Sequence, residues 1–219
     1  MNIESLSRLR QGIYRFAGAG FSDPTPDLIA AAGGTMELFD TLDIFDYSFA
    51  PDIADAIGEI AQADLAELSV AFVAIFEAGV GGVSCPPFET AYVGNPRTGD
   101  VATLQSDLKR AYLRFGLNPK SVSSGEVDHI STELHVMARL CALTADGDST
   151  DRSAGRVLAY QSEFLDMHLL VWAPEFVAKV ASVDRHPVYT SLSRGLASFL
   201  AHERQLVPRL VDLSTGALP

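Results

Sequence analysis

The stretch DHISTELHVMARLCAL, Asp128 to Leu143, places Ile130, Leu134, Met137 and Cys141 at intervals of three and four residues, the period of an α-helix with one apolar stripe. Thr132, His135 and Arg139 are expected to face elsewhere. Asp128 stands at the entry, where a carboxylate accepts free backbone N–H groups and meets the positive end of the helix dipole. A cap of that kind is worth about 0.5–2 kcal/mol.

The same spacing recurs on both sides of this helix, and alternating runs bounded by hairpin turns are hard to find. Leu6, Leu9, Ile13, Tyr14 and Phe16 start a first helix ending near Gly18 and Gly20. A turn from Ser22 to Pro26 leads through Asp27 into a short helix closed by Gly33 and Gly34, followed by a helix or two from Met36 to Asp46. After Pro51, one helical face carries Ile53, Ile57 and Ile60, and another carries Leu65, Leu68, Phe72, Ile75 and Phe76, stopping at Gly79. Gly79 to Gly99 holds five glycines and three prolines and reads as irregular backbone. Connectors of this length inside a compact domain are uncommon without a role. Leu104 to Phe115 resumes the helix, Gly116 to Gly125 connects, and Ala145 to Asp151 is an acidic break. Helices follow at Ser153 to Trp172 and Val188 to Leu206. The reading is an all-α, single-domain helical bundle over 1–212, with 213–219 as a flexible tail.

Lys and Arg number 16 against 28 Asp and Glu, a net charge of −12, so the field of the protein repels polyphosphates and argues against a nucleic-acid partner. It favours encounter with a cationic segment. Cys85 and Cys141 match neither a redox pair nor a zinc site, which points to free thiols in a reducing compartment. No export signal precedes the first helix, and Val70 to Val83, broken by Glu77 and three glycines, is too short for stable membrane insertion. A cytoplasmic protein is expected.

His129 and Glu133 lie one helical turn apart, a spacing that can hold a metal, but HExxH and the paired ExxH pattern are both missing. No metal, cofactor or catalytic residue is expected, since GxSxG, the Walker loop and a strand-borne GxGxxG are also absent. Three places remain. His129 sits beside Asp128 where a Ser/Gly connector becomes helix, able to hydrogen-bond a peptide or to change charge near neutral pH. His168 and Trp172, one turn apart on the broad apolar face of Val157, Tyr160, Phe164, Leu165 and Leu169, read first as core residues. In CPPFETAY, Cys85 to Tyr92, Pro86 and Pro87 stiffen the backbone. Phe88 and Tyr92 are four apart, and Glu89 falls in the first turn of a short helix or faces a groove where it can pair an arginine.

Taken in order, LRQGIYRFAGAGFSDPTPDLI (Leu9 to Ile29), LSVAFVAIFEAGVGGVSCPPFETAY, VDHISTELHVMARL, QSEFLDMHLLVWAPEF and HPVYTSLSRGLASFLAHE resemble the TorD/DmsD/NarJ family of molybdoenzyme maturation chaperones. The Cys-Pro-Pro-aromatic-Glu variant looks more like the delta-type chaperones of ethylbenzene, dimethylsulfide, selenate or chlorate oxidoreductases. Val127 stands where many members carry a proline. The resemblance implies a bundle of the TorD/DmsD type without enzymatic activity. Its expected partners are a twin-arginine leader and the unfinished catalytic subunit of a molybdenum oxidoreductase. It also implicates Asp128 and His129, then Pro86, Pro87, Phe88, Glu89 and Tyr92, with Glu133, His168 and Trp172 beside them. Monomer and segment-swapped dimer both fit. The rivals are a guanine-nucleotide-binding or hydrolysing helical protein and a general protein-interaction scaffold. The expectation to carry forward is that the two connectors border one acidic, ring-lined trough containing Glu89 and Asp128.

Overall fold

A computed structural model describes residues 2–44, 46–78, 82–93, 101–118, 126–146, 154–183 and 186–216. Among the described residues there is no β-strand, only one isolated antiparallel bridge between Phe88 and His129. The fold is all-helical. Helix α1 (Ile3–Gly20) begins where the Asn2 side chain accepts the Ser5 N–H. Helix α2 (Pro26–Leu42) takes Pro26 in its first turn, where no backbone donor is lost, and ends at Asp43, in the left-handed conformation at φ 49°. Helices α3 (Ala50–Gln62) and α4 (Leu65–Phe72) follow, the latter capped by Asp64, and α4 runs into a π-helical turn, Val73–Glu77.

Beyond the loop 82–93 lie α5 (Val101–Arg114), α6 (Ile130–Asp146) and α7 (Ala154–Phe164). A second π turn, Leu165–Leu169, joins α7 to α8 (Leu170–Val183), and α9 (Pro187–Thr215) closes the chain.

Three boundaries differ from the sequence reading. Gly33 and Gly34 do not end a helix; α2 runs straight through them, since its neighbours are good helix formers and a glycine inside a helix costs only about 1 kcal/mol. The helix expected to end at Trp172 is followed without a break by α8, which runs through Pro174 to Val183. Pro174 follows the π turn, and the only backbone bond it removes is the one to the Leu170 carbonyl, at the point where π geometry returns to α. Helix α9 continues to Thr215, past the start of the expected tail, and is capped by Gly216 at φ 69°. Of the expected connectors, 79–81, 94–100, 119–125 and 147–153 lie outside the described residues, while Ala145 and Asp146 belong to α6.

Helix α6 is the axis of the bundle and packs most extensively on α1. Its apolar stripe is fully buried, but so are Ser131, Thr132 and Glu133, which corrects the expectation that Thr132 faces away with Arg139. A helix wrapped on nearly all sides must bury polar residues, and these sit where neighbours meet part of their hydrogen-bonding need: Ser131 reaches Ser22 at 2.6 Å, and Glu133 accepts from Trp172. Gly18 of α1 lets the two helices close up. A Cβ there would stand 2.7 Å from the His135 ring. At the far side of α1, Arg10 forms a two-pronged ion pair with Glu203 of α9 at 2.8 and 2.7 Å, and the Tyr14 hydroxyl donates to the same carboxylate at 2.7 Å.

Candidate functional site

The two connectors meet and are joined backbone to backbone. The Glu89 N–H donates to the Asp128 carbonyl at 2.8 Å and the Ile130 N–H donates to the Pro87 carbonyl at 2.9 Å, bracketing the Phe88–His129 bridge. Pro87 has no N–H to compete for an acceptor, and its fixed φ holds the segment extended, so a two-bond clasp forms without a strand on either side. Glu89–Ala91 then turns as one 3-10 turn, placing Glu89 in a first turn, one of the two placements the sequence allows.

Side chains complete the clasp. Asp128 accepts from the Thr90 hydroxyl at 2.7 Å and from the Gln105 amide at 3.1 Å, tying in α5. The Tyr112 hydroxyl donates to the Val127 carbonyl at 2.7 Å. Asp128 is therefore not the helix cap expected from sequence. That role falls to His129, whose Nδ1 accepts the Ser131 N–H at 3.1 Å and whose carbonyl accepts the Glu133 N–H. With Nδ1 accepting, the ring proton sits on Nε2. Burial lowers the His129 pKa to about 4, with Asp128 and Asp23 opposing, so the imidazole is neutral at physiological pH.

The structure brings every sequence-predicted residue into one region, but it sorts them by depth. Glu89 and Asp128 are each 1% exposed and Glu133 and Trp172 are sealed, so the acidic groups do not line an open trough. Glu89 turns inward to His168, whose Nδ1 lies 3.1 and 3.2 Å from its two carboxylate oxygens. Trp172 donates to Glu133 at 3.3 Å and carries the Tyr92 ring at 5.5 Å, and Tyr92 also packs on Phe176. Pro86, Phe88, Tyr92 and His129 remain partly exposed, with Phe88 set edge-on to His129 at 5.2 Å. The result is an apolar, imidazole-bearing edge held over buried carboxylates.

Two π turns flank this edge, a feature found disproportionately at functional positions. The first precedes the loop, and its Ile75 carbonyl accepts the Cys85 N–H at 3.0 Å. The second contains His168. Tyr160, Phe164, His168, Trp172 and Phe176 recur every four residues, and such a ladder drifts roughly 40° per step around an ideal helix. The wider turn at Leu165–Leu169 absorbs part of that drift and keeps His168 and Trp172 on the loop side.

Glu133 is pushed well above the usual carboxylate range by burial, with the negative charge of Glu89 and Asp128 adding and the Trp172 N–H opposing. Its Oε1 has no partner among the described residues, in keeping with a neutral acid. A group that binds its proton more tightly folded than unfolded loses stability as pH rises through its folded pKa. Glu133→Gln keeps the acceptor for Trp172 and removes the ionisation, so its melting temperature should exceed that of the parent at pH 8 and converge on it at pH 5. A scan at both pH values checks this; equal melting temperatures at pH 8 would refute it.

Thr90, Gln105, Tyr112 and Phe176 were missed as members of the site. Thr90 lay inside the quoted loop; Gln105 and Tyr112 sit on α5 with no motif around them and are revealed only by contact. Among the described residues no group of three or more His, Cys, Asp or Glu can hold a metal ion, and no helix is long and apolar enough to cross a membrane.

This arrangement is all-helical, with its buried polar groups spent on architecture. Residues 47–178 match the nitrate reductase delta subunit family, a span containing both connectors and the His168–Trp172 turn. The chain belongs to that family of TorD-like redox-enzyme maturation chaperones. It is 30% identical over 150 residues to the selenate reductase assembly chaperone protein of Thauera selenatis, covering 67% of this chain and 75% of that one. It is 26% identical over 134 residues to the chaperone protein TorD of Aliivibrio salmonicida, a match spanning 61% of either chain. A crystal structure from Archaeoglobus fulgidus, described as a redox enzyme maturation protein, superposes with a TM-score of 0.51 over 92% of this chain and 95% of that one, at 19% identity, a likeness of fold.

Proposed function

We propose that the protein is a cytoplasmic, non-catalytic chaperone that binds the twin-arginine leader, or the unfinished catalytic subunit, of a molybdenum-dependent oxidoreductase and holds it until the cofactor is inserted. The observation that carries this reading is the clasp between the two connectors, which fixes Phe88, Pro86 and His129 as a rigid surface edge above Glu89, Asp128 and Glu133. A rigid edge loses little entropy when it binds. Neutral His129 does not repel an arginine, and its Nε2–H, which has no acceptor among the described residues, can donate to a backbone carbonyl of the leader. Phe88, Pro86 and Tyr92 offer apolar contact to the leader's hydrophobic stretch. The net charge of −12 draws the basic segment in, an attraction that weakens with salt. Likeness to a selenate reductase chaperone supports a reductase client of that kind.

Calorimetric titration of a synthetic twin-arginine leader tests the reading. Binding should be measurable at low salt and weaken as salt is raised. Phe88→Ala combined with His129→Asn, which keeps an acceptor for the Ser131 N–H, should weaken it by at least about tenfold while melting stays cooperative. No heat with either the leader or the mature catalytic subunit would overturn the proposal.

A further inference from the structure

The outer side of the α8–α9 hairpin carries a cleft of about 530 Å³ that has no part in the clasp. Its walls run over 170–181 of one helix and 193–205 of the other, about 17 Å at the rise of an α-helix. Pro174, Ala178, Ala197 and Ala201 are exposed along it, with Leu170 and Val177 beneath, so small side chains let another backbone come close.

One buried polar group in this cleft is left without a partner among the described residues. Ser193 is 1% exposed and its Oγ has no hydrogen-bond partner among the described residues, although a buried hydroxyl without one costs about 1–3 kcal/mol. Pro174 and Pro208 lack the N–H that a regular α-helix directs at the carbonyls of Leu170 and Arg204, two of the lining residues. The rim is cationic in an acidic protein. Arg204 is exposed with no ion-pair partner among the described residues, and Arg194 has Asp55 at 4.0 Å, an exposed pair of little strength, and the Ser191 hydroxyl at 3.3 Å.

We infer that this cleft is a second docking surface, which takes an amphipathic helix of another polypeptide bearing carboxylates beside its apolar stripe. The apolar stripe fills the alanine-lined floor, and its carboxylates pair with Arg194 and Arg204. A basic leader is the wrong ligand here, because the same rim repels it. The inference stands independently of the leader-binding proposal.

Two fluorescent peptides of about 18 residues decide it, sharing leucines at i, i+3, i+4 and i+7 and carrying either glutamates or lysines beside that stripe. In anisotropy titrations the glutamate peptide should bind at least about tenfold tighter than the lysine peptide. Arg194→Glu with Arg204→Glu should reverse that preference, and Ala197→Trp should abolish binding of both. Equal binding of the two peptides, or binding untouched by the arginine reversal, overturns the inference. So does failure of the glutamate peptide to bind at about 1 mM, the weak end of specific recognition. A wild-type dimer in sedimentation that Ala197→Trp disperses would also overturn it, by showing a second copy in the cleft. Should the tryptophan variant fail to fold, the exposed arginine variants still give the answer.

Discussion

Glu203→Ala is expected to destabilise the protein by about 3–5 kcal/mol. The pair it breaks is sealed, with Arg10 at 1% and Glu203 at 0% exposure, and it ties the first helix to the last. Removing the carboxylate leaves a guanidinium in the interior with no counter-charge and strips the Tyr14 hydroxyl of its acceptor. Arg10 Nη1 already lacks a hydrogen-bond partner among the described residues, so the site has no slack. The double variant Arg10→Met with Glu203→Met should be less destabilised than Glu203→Ala, because no unpaired charge is left behind. Urea melts of the three proteins measure this. A double variant weaker than the single would mean that the pair itself, rather than the stranded charge, supplies the stability.

Trp172→Ala has a comparable expected cost of about 3–5 kcal/mol for a fully buried indole. It removes the surface under Tyr92, the contact with Phe176 and the hydrogen bond that the Glu133 carboxyl accepts. Trp172→Phe retains a ring for both aromatic neighbours and loses the N–H alone, for about 1–2 kcal/mol. The two variants separate packing from polarity: chemical denaturation should rank the parent above Trp172→Phe and Trp172→Phe above Trp172→Ala. Equal losses would place the whole role of Trp172 in its N–H.

The fold was legible because the helices repeat at three and four residues, and the axis helix is the clearest case. Ile130, Leu134, Met137 and Cys141 announce it. Periodicity could not reveal that Ser131, Thr132 and Glu133 are buried too, since a polar residue in a core is licensed by partners such as Ser22 and Trp172 that lie far away in the chain. The Arg10–Glu203 pair, 193 residues apart, was invisible for the same reason. At the site, the stiffness of the Pro-Pro segment and the first-turn position of Glu89 were readable from residue type. Its direction was not: the carboxylate turns inward because His168 waits there on a π turn, and no local spacing announces a π turn. The cap expected of Asp128 falls to His129. Only coordinates show that Thr90 and Gln105 claim the carboxylate and leave the imidazole to cap the helix.

The central claim is that the edge formed where the two connectors clasp is the surface that meets a leader peptide. Its most direct test is a twin-arginine leader carrying a photoreactive phenylalanine analogue beside the arginines, crosslinked to the wild-type protein and mapped by mass spectrometry. The account predicts adducts within 86–92 and 126–131, suppressed by an excess of unlabelled leader. Competed adducts confined to the α8–α9 cleft, or to the outer faces of α2 and α3, would contradict it.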